Sequence, residues 1–330
     1  MAEKIIVGGI KMSIPLILGA GVAKHPLQAK QFLHPDAQLG AVVLGSFTLQ
    51  ERLGNQGNLV WPEDFGRLTQ EGFGLNALGM PNIGLAEAIK LLPSNPTRPI
   101  IISIAGFKAS EYIKMLNMLK GNESIAGVEI NGGCPNTGHL PVAYAIDDLD
   151  YLLEEIKKVE FDKPIWLKLS PYMSPCELAW FAEDHSHLDF THTPTVSDWF
   201  IDELTETLIK HATTIQAVVM SNTIPNVSYG DALVVKNPDG STQHNRGGLS
   251  GTILRHHNLQ LIDRLVMNGL TAHMNIVGCG GIFSGDDAAK YFEKDCVAVA
   301  CTSGPSWYGS VKFFSNLLQE SGELLELLNQ

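Results

Sequence analysis

Asn275-Ile-Val-Gly278-Cys279-Gly280-Gly281-Ile-Phe-Ser-Gly-Asp286-Asp-Ala-Ala-Lys-Tyr-Phe-Glu293-Lys-Asp-Cys-Val297-Ala-Val-Ala300-Cys301-Thr302-Ser303-Gly304 is the stretch that decides the fold. Two short apolar runs, Asn275–Val277 and Val297–Ala300, flank a helix-length segment, Asp286–Glu293. Each run ends in glycines or small polar residues. Runs that are apolar throughout, rather than alternating, fit strands of a parallel sheet covered on both faces.

The same pattern recurs upstream at Ile14–Leu18, Ala41–Leu44, Ile100–Ile104, Gly127–Ile130, Ile165–Leu169 and Ala217–Met220. Amphipathic segments Ala109–Leu119, Leu149–Val159 and Thr252–Met267 fall between them. Strand–helix alternation to a count of eight predicts an α/β chain folded as a (β/α)8 TIM barrel rather than an open doubly wound sheet. A chain of 330 residues suits such a barrel as a single domain over 1–330. Inserted loops are expected at the C-terminal face. One connection runs from Ser46 to about Arg98, and another holds an insertion around 181–212. A third, Asp231–Gly247, carries the turn signal Asn237-Pro238-Asp239-Gly240 and reads as a hairpin.

Composition excludes several classes. Hydrophobic residues at 45% and charged ones at 18% leave ample core and rule out disorder. A net charge of −12 argues against nucleic acid and anionic membrane as partners, which would want a basic stripe. No stretch reads as a membrane span or signal peptide, and 5 cysteines suggest no disulfide framework. A cytoplasmic setting is expected. Glu183–His192 contains His185-Ser-His187, but the spacing defines no metal site, and a cover or subunit contact is the expected role.

Catalytic groups of a barrel sit just past its strands. Gly280 and Gly281 after the seventh strand, with Thr302 and Ser303 after the eighth, form a phosphate-cradle pattern. Arg246-Gly247-Gly248-Leu249-Ser250-Gly251 is expected to add a third wall. Together these clusters predict a phosphate-bearing cofactor bound by the chain. Lys168 lies between Trp166, Leu167 and Leu169, a setting unsuited to a solvated lysine. Asn131, Asn136 and Asn222 follow strands, and their carboxamides can both donate and accept hydrogen bonds. Asn82, Asn226 and Asn237 read as turn or cap residues.

The order of these motifs resembles the class 1 dihydroorotate dehydrogenases. The likeness runs from Leu18-Gly-Ala20-Gly21-Val22 to Thr302-Ser303. Its most specific parts are Gly74-Leu-Asn76-Ala-Leu-Gly79-Met-Pro81-Asn82, Val128-Glu-Ile-Asn131-Gly-Gly-Cys134-Pro135-Asn136 and Ser221-Asn222-Thr223-Ile-Pro-Asn226. The resemblance implies FMN at the barrel mouth, contacted by Ala20, Gly21, Ser46, Asn131, Lys168, Asn222, Gly247, Gly248, Gly280, Gly281, Thr302 and Ser303. It implies a small-molecule substrate held by Asn76, Asn131, Asn136, Asn222 and Thr223. Cys134 matches the catalytic base, removing a C5 proton while hydride passes to flavin N5, and Lys168 matches the lysine against the flavin. A homodimer is expected, no metal is implied, and the electron acceptor is left open. The other cysteines, Cys176, Cys279, Cys296 and Cys301, read as buried structural thiols.

One departure stands out. The family carries a lysine after the second strand that meets the substrate carboxylate, and Gly45 occupies that place in Leu44-Gly45-Ser46-Phe47. Either another cation serves, with Lys24, Arg52 and Arg246 as candidates by loop location, or the substrate lacks the carboxylate. The second possibility gives a rival reading, a flavin dehydrogenase or ene-reductase for an uncharged molecule. A non-catalytic barrel that binds FMN or a nucleobase is the third. Gly132-Gly133 before Cys134 is glycine-rich for the family and suggests a roomier loop.

Overall fold

The computed structural model describes residues 5–63, 68, 72–133, 142–183, 198–308 and 311–319. Eight parallel strands close a barrel: β1 (Leu16–Ala23), β2 (Ala41–Phe47), β3 (Ile100–Ile104), β4 (Gly127–Asn131), β5 (Ile165–Lys168), β6 (Ala217–Met220), β7 (Asn275–Cys279) and β8 (Ala298–Cys301). Each strand pairs with its neighbours in chain order, and β8 closes on β1. The TIM-barrel expectation is met.

The reason lies in the two-residue period of the runs. Ile17, Val43, Ile101, Trp166, Ala217, Val219, Val277 and Ala298 pack together as one buried cluster inside the barrel. Their chain neighbours Leu18, Val42, Ile102, Leu167, Val218, Ile276 and Val299 point the other way, into the larger core shared with the helices. Both faces are therefore apolar, which is why the sequence shows unbroken runs. The described α-helices are α1 (Leu85–Lys90), α2 (Ala109–Leu119), α3 (Ile146–Lys157), α4 (Pro175–Ala182), α5 (Asp198–Lys210), α6 (Thr252–Met267), α7 (Gly285–Phe292), α8 (Ser303–Tyr308) and α9 (Lys312–Gln319). Ser284 caps α7 by accepting from Asp287 N–H, and Asp287 returns the bond to the cap backbone.

At the other end a hairpin, Ile5–Val7 with Ile10–Met12, turns through Gly8 and Gly9, whose φ values are 47° and 80°. Trp166 Nε1 donates to Gly8 O at 3.0 Å, so the hairpin is fastened to the bottom of the barrel interior. At the mouth, Val60–Trp61, Phe73–Asn76, Arg246–Gly251 and Ile224–Ser228 form a four-stranded antiparallel sheet. The expected hairpin is Val234–Lys236 with Thr242–His244, turning through Asn237–Gly240. Of the 181–212 stretch, α5 packs against α3 and α6 in the helical layer, while 184–197, including the His185-Ser-His187 stretch, lies outside the described residues. No described helix is long and apolar enough to cross a membrane.

Candidate active site

A cavity of about 540 Å³ opens at the C-terminal ends of the strands, within the usual range for cofactor sites. Ala20, Gly21, Ser46, Asn76, Asn131, Lys168, Asn222, Thr223, Gly280, Gly281, Thr302 and Ser303 all line it. These residues come from eight parts of the chain, brought together because each lies in the outer part of a strand or just past it. Cys134 and Asn136 lie within 134–141, outside the described residues. Gly132 N donates to Lys168 O at 3.0 Å, so the approach to Cys134 is pinned beside the end of β5.

Gly247 and Gly248 do not line the cavity. They lie in the strand Arg246–Gly251, where Gly248 pairs with Asn76, and a Cβ on Gly247 would come within 2.5 Å of Asn76 O. They bring two backbones together behind Asn76. Ser250 and Leu254, further along, supply that wall instead. Of the two glycines before Cys134, Gly133 needs a similar correction. A Cβ on Gly133 would sit 2.7 Å from Leu169 O, so Gly133 serves close packing and not extra room.

One side of the cavity presents a donor set. Gly280 and Gly281 have φ of 121° and 63°, and a Cβ on Gly281 would meet Gly251 O at 2.4 Å. No side chain can stand there. The hydroxyls of Thr302, Ser303 and Ser250 adjoin this turn, with Ser303 Oγ and Ser250 Oγ 3.1 Å apart. Backbone N–H groups of adjacent glycines with neighbouring hydroxyls suit a phosphate. Behind the turn, Arg255 is buried, donates to Gly281 O at 2.9 Å and pairs with Asp287. Asp287 Oδ2 in turn accepts from Phe283 N at 3.0 Å and Ser284 N at 3.2 Å. The turn is held from behind by a buried ion pair on α6 and α7 that no motif signals, because both residues sit within ordinary helical segments.

Another part of the lining carries the carboxamides. Asn222 Nδ2 donates to Asn131 Oδ1 at 3.0 Å, and Asn131 Nδ2 donates to Ser46 Oγ at 2.8 Å. Asn222 Oδ1 accepts from Thr223 N at 2.9 Å. Each amide keeps bonding capacity for a ligand. Asn258, fully buried, accepts from Ser221 Oγ and donates to Cys279 O, clamping the ends of β6 and β7.

Lys24, Glu63 and Lys168 are the charged lining residues among those described. Lys168 is buried and hydrogen-bonded to the Cys279 thiol, which Thr302 also contacts. Burial pushes the Cys279 thiol up, with the Lys168 charge opposing, so it stays a neutral thiol. Cys296 and Cys301 are buried as expected, but Cys176 is exposed on α4. Burial lowers the Lys24 ammonium from the ordinary lysine value. Of the three candidates to replace the cation absent at position 45, Lys24 alone lines the cavity. Arg52 donates to Gly79 O and lies 5.0 Å over the Phe107 ring, and Arg246 is exposed at the start of the strand Arg246–Gly251.

Position 45 itself cannot take the family lysine. Gly45 has φ of 114°, and a Cβ there would lie 2.6 Å from Ser103 O and 2.8 Å from Phe47 N. Gly45→Lys is expected to lower unfolding stability by about 2–5 kcal/mol through backbone strain and overpacking, without tightening anion binding. Urea unfolding beside an orotate titration checks it. A stable variant with tighter orotate binding would refute this account.

The sequence model of the family described as dihydroorotate dehydrogenase matches residues 3–191 and 182–325. Among curated proteins, the chain is 26% identical over 299 residues to dihydroorotate dehydrogenase B (NAD(+)), catalytic subunit, of Endomicrobium trichonymphae, covering 89% of this chain and 83% of that one. It is 26% identical over 331 residues to dihydroorotate dehydrogenase A (fumarate) of Lactococcus lactis subsp. cremoris, covering 97% and 92%. In three dimensions it is similar to DHODH of Eimeria tenella, solved in complex with ferulenol, with TM-score 0.69, 18% identity and coverage of 99% and 84%. That likeness concerns the fold alone, whereas the sequence match spans both the glycine turn and the asparagine wall, and on it the chain belongs to the dihydroorotate dehydrogenase family.

Proposed function

We propose that the chain is an FMN-dependent oxidoreductase of the class 1 type, oxidising dihydroorotate or a closely related cyclic dihydropyrimidine across a CH–CH bond. The observation that carries the reading is a single cavity lined by both a phosphate-suited glycine turn and paired carboxamides. When bound, FMN supplies a hydride acceptor. Gly280, Gly281, Thr302 and Ser303 would hold its phosphate, and Lys168 would face its ring system. Asn76, Asn131, Asn136, Asn222 and Thr223 orient the planar substrate. Lys24 supports its carboxylate, and Cys134 takes the C5 proton.

The donor set fits such a cofactor, because the turn admits no side chain and offers N–H and hydroxyl groups only. Protein denatured after purification is expected to release FMN, identified by chromatography; FAD, or no flavin after reconstitution, would overturn the cofactor assignment. Gly45 favours a second reading, turnover of an uncharged molecule by the same chemistry. A barrel that only binds FMN or a nucleobase is the third. Anaerobic mixing separates them: a dehydrogenase bleaches with dihydroorotate, an enzyme of the second kind with an uncharged candidate, and a binding relic with none. A cytoplasmic homodimer completes the proposal, the assembly being checked by light scattering.

A further inference from the structure

Beneath the cavity floor the barrel interior changes from apolar to polar. Glu129 lies in β4, in register with Ser103 of β3 and Trp166 of β5. It is 1% exposed and Ser103 is 0% exposed. Ser103 Oγ donates to Glu129 Oε1 at 2.8 Å, and Ser103 Oγ lies 2.8 Å from Ser46 Oγ. Ser46 Oγ accepts from Asn131 Nδ2, and Asn131 Oδ1 accepts from Asn222 Nδ2.

The donors form one directed series. Ser103 gives its only hydroxyl proton to the carboxylate, so Ser46 must donate to Ser103. The amide of Asn131 then donates to Ser46, and that of Asn222 to Asn131. A carboxylate has no proton to give, and this fixes the direction of every bond above it. On its other side Glu129 interacts electrostatically with Lys168. Burial raises the Glu129 carboxyl, while the Lys168 charge and the Ser103 bond pull it back. An anion so deep in a barrel is costly unless a cation and hydrogen bonds meet it, and here both do.

We propose that Glu129 is the positioning residue of the site, its charge holding the Lys168 ammonium in place at the cavity lining and its hydrogen bond to Ser103 setting, through Ser46, which way Asn131 and Asn222 face the ligand. The inference rests on the reading of the cavity as a flavin site, and its two arms separate. Glu129→Gln removes the charge and keeps an acceptor for Ser103. Ser103→Ala breaks the series and leaves the charge.

The first variant is expected to favour the reduced cofactor at least tenfold, about 30 mV more positive for a two-electron couple, because Lys168 loses its counter-charge. Its affinity for orotate should change little. The second should weaken orotate about 3- to 10-fold and leave the midpoint potential in place. Dye-equilibrated potentials and orotate titrations read both. An unchanged or lowered potential in Glu129→Gln, or unchanged orotate binding in Ser103→Ala, overturns the proposal. Urea unfolding of Glu129→Gln, Lys168→Met and the double variant needs no cofactor. The double variant should lose at least tenfold less in the unfolding equilibrium than the product of the single losses, since it leaves no charge alone. Additive losses overturn the pairing even if flavin is bound; absence of flavin with coupled losses overturns only the reading of the cavity.

Discussion

Cys134→Ala is expected to keep its flavin and lose substrate oxidation by about 10²- to 10⁴-fold, the scale of removing a general base. The argument is chemical. A thiol of ordinary pKa, about 8.5, is partly thiolate near neutrality and can accept a carbon-bound proton once that fraction is modestly raised. Alanine has nothing to accept it, whereas the binding groups on β2 and β4 and after β6 remain. Cys134→Ser keeps a hydroxyl of higher pKa, so its activity should exceed that of alanine most clearly at high pH. Anaerobic stopped-flow bleaching of the cofactor by dihydroorotate reads the step directly. Wild-type bleaching by the alanine variant would remove Cys134 from the role.

The second large effect concerns Lys24. If the substrate carries a carboxylate, Lys24→Met should raise the orotate Kd about 10- to 100-fold, the worth of a hydrogen bond to a charged group, and leave uracil unchanged. Methionine fills similar space, which limits the change to charge. The pH dependence follows in sign. Burial lowers the Lys24 ammonium below 10.5, so its charge is present at low pH and is lost on raising pH sooner than for an exposed lysine. Orotate binding should weaken on that approach, and Lys24→Arg, whose guanidinium stays charged, should abolish the weakening. Orotate and uracil bound equally by wild type, both indifferent to Lys24→Met, would replace this reading by the uncharged substrate.

The proposal for Lys24 illustrates how sequence and structure divide the work. From loop location alone, Lys24, Arg52 and Arg246 were equal candidates. Their separation depends on side-chain direction, which no local pattern encodes: Arg52 is spent on Gly79 O and Phe107, and Arg246 faces out. Gly45 looked like the place of a lost lysine. Its φ of 114° and the 2.6 Å approach of Ser103 O show a backbone that excludes any side chain. Gly247 and Gly248 looked like ligand glycines and turned out to be strand residues against Asn76. A glycine says that something comes close; only the fold says whether that is a ligand or another backbone.

By itself the sequence determined the barrel. Every apolar run became a barrel strand because a strand covered on both faces must be apolar at successive positions, and that demand is local enough to read. It also marked the strand ends, and hence the glycine turn and the residues lining the mouth. Lys168 was legible as a charge inside an apolar run, and Glu129 carries the same signal within Gly127–Ile130. The tertiary structure alone decided what those charges do. Glu129, Ser103 and Ser46 lie on three strands, and their hydrogen bonds exist because closing the barrel sets β2, β3 and β4 side by side. Such contacts depend on inter-strand register and on inward or outward direction, which arise from closure and not from any one segment of the chain.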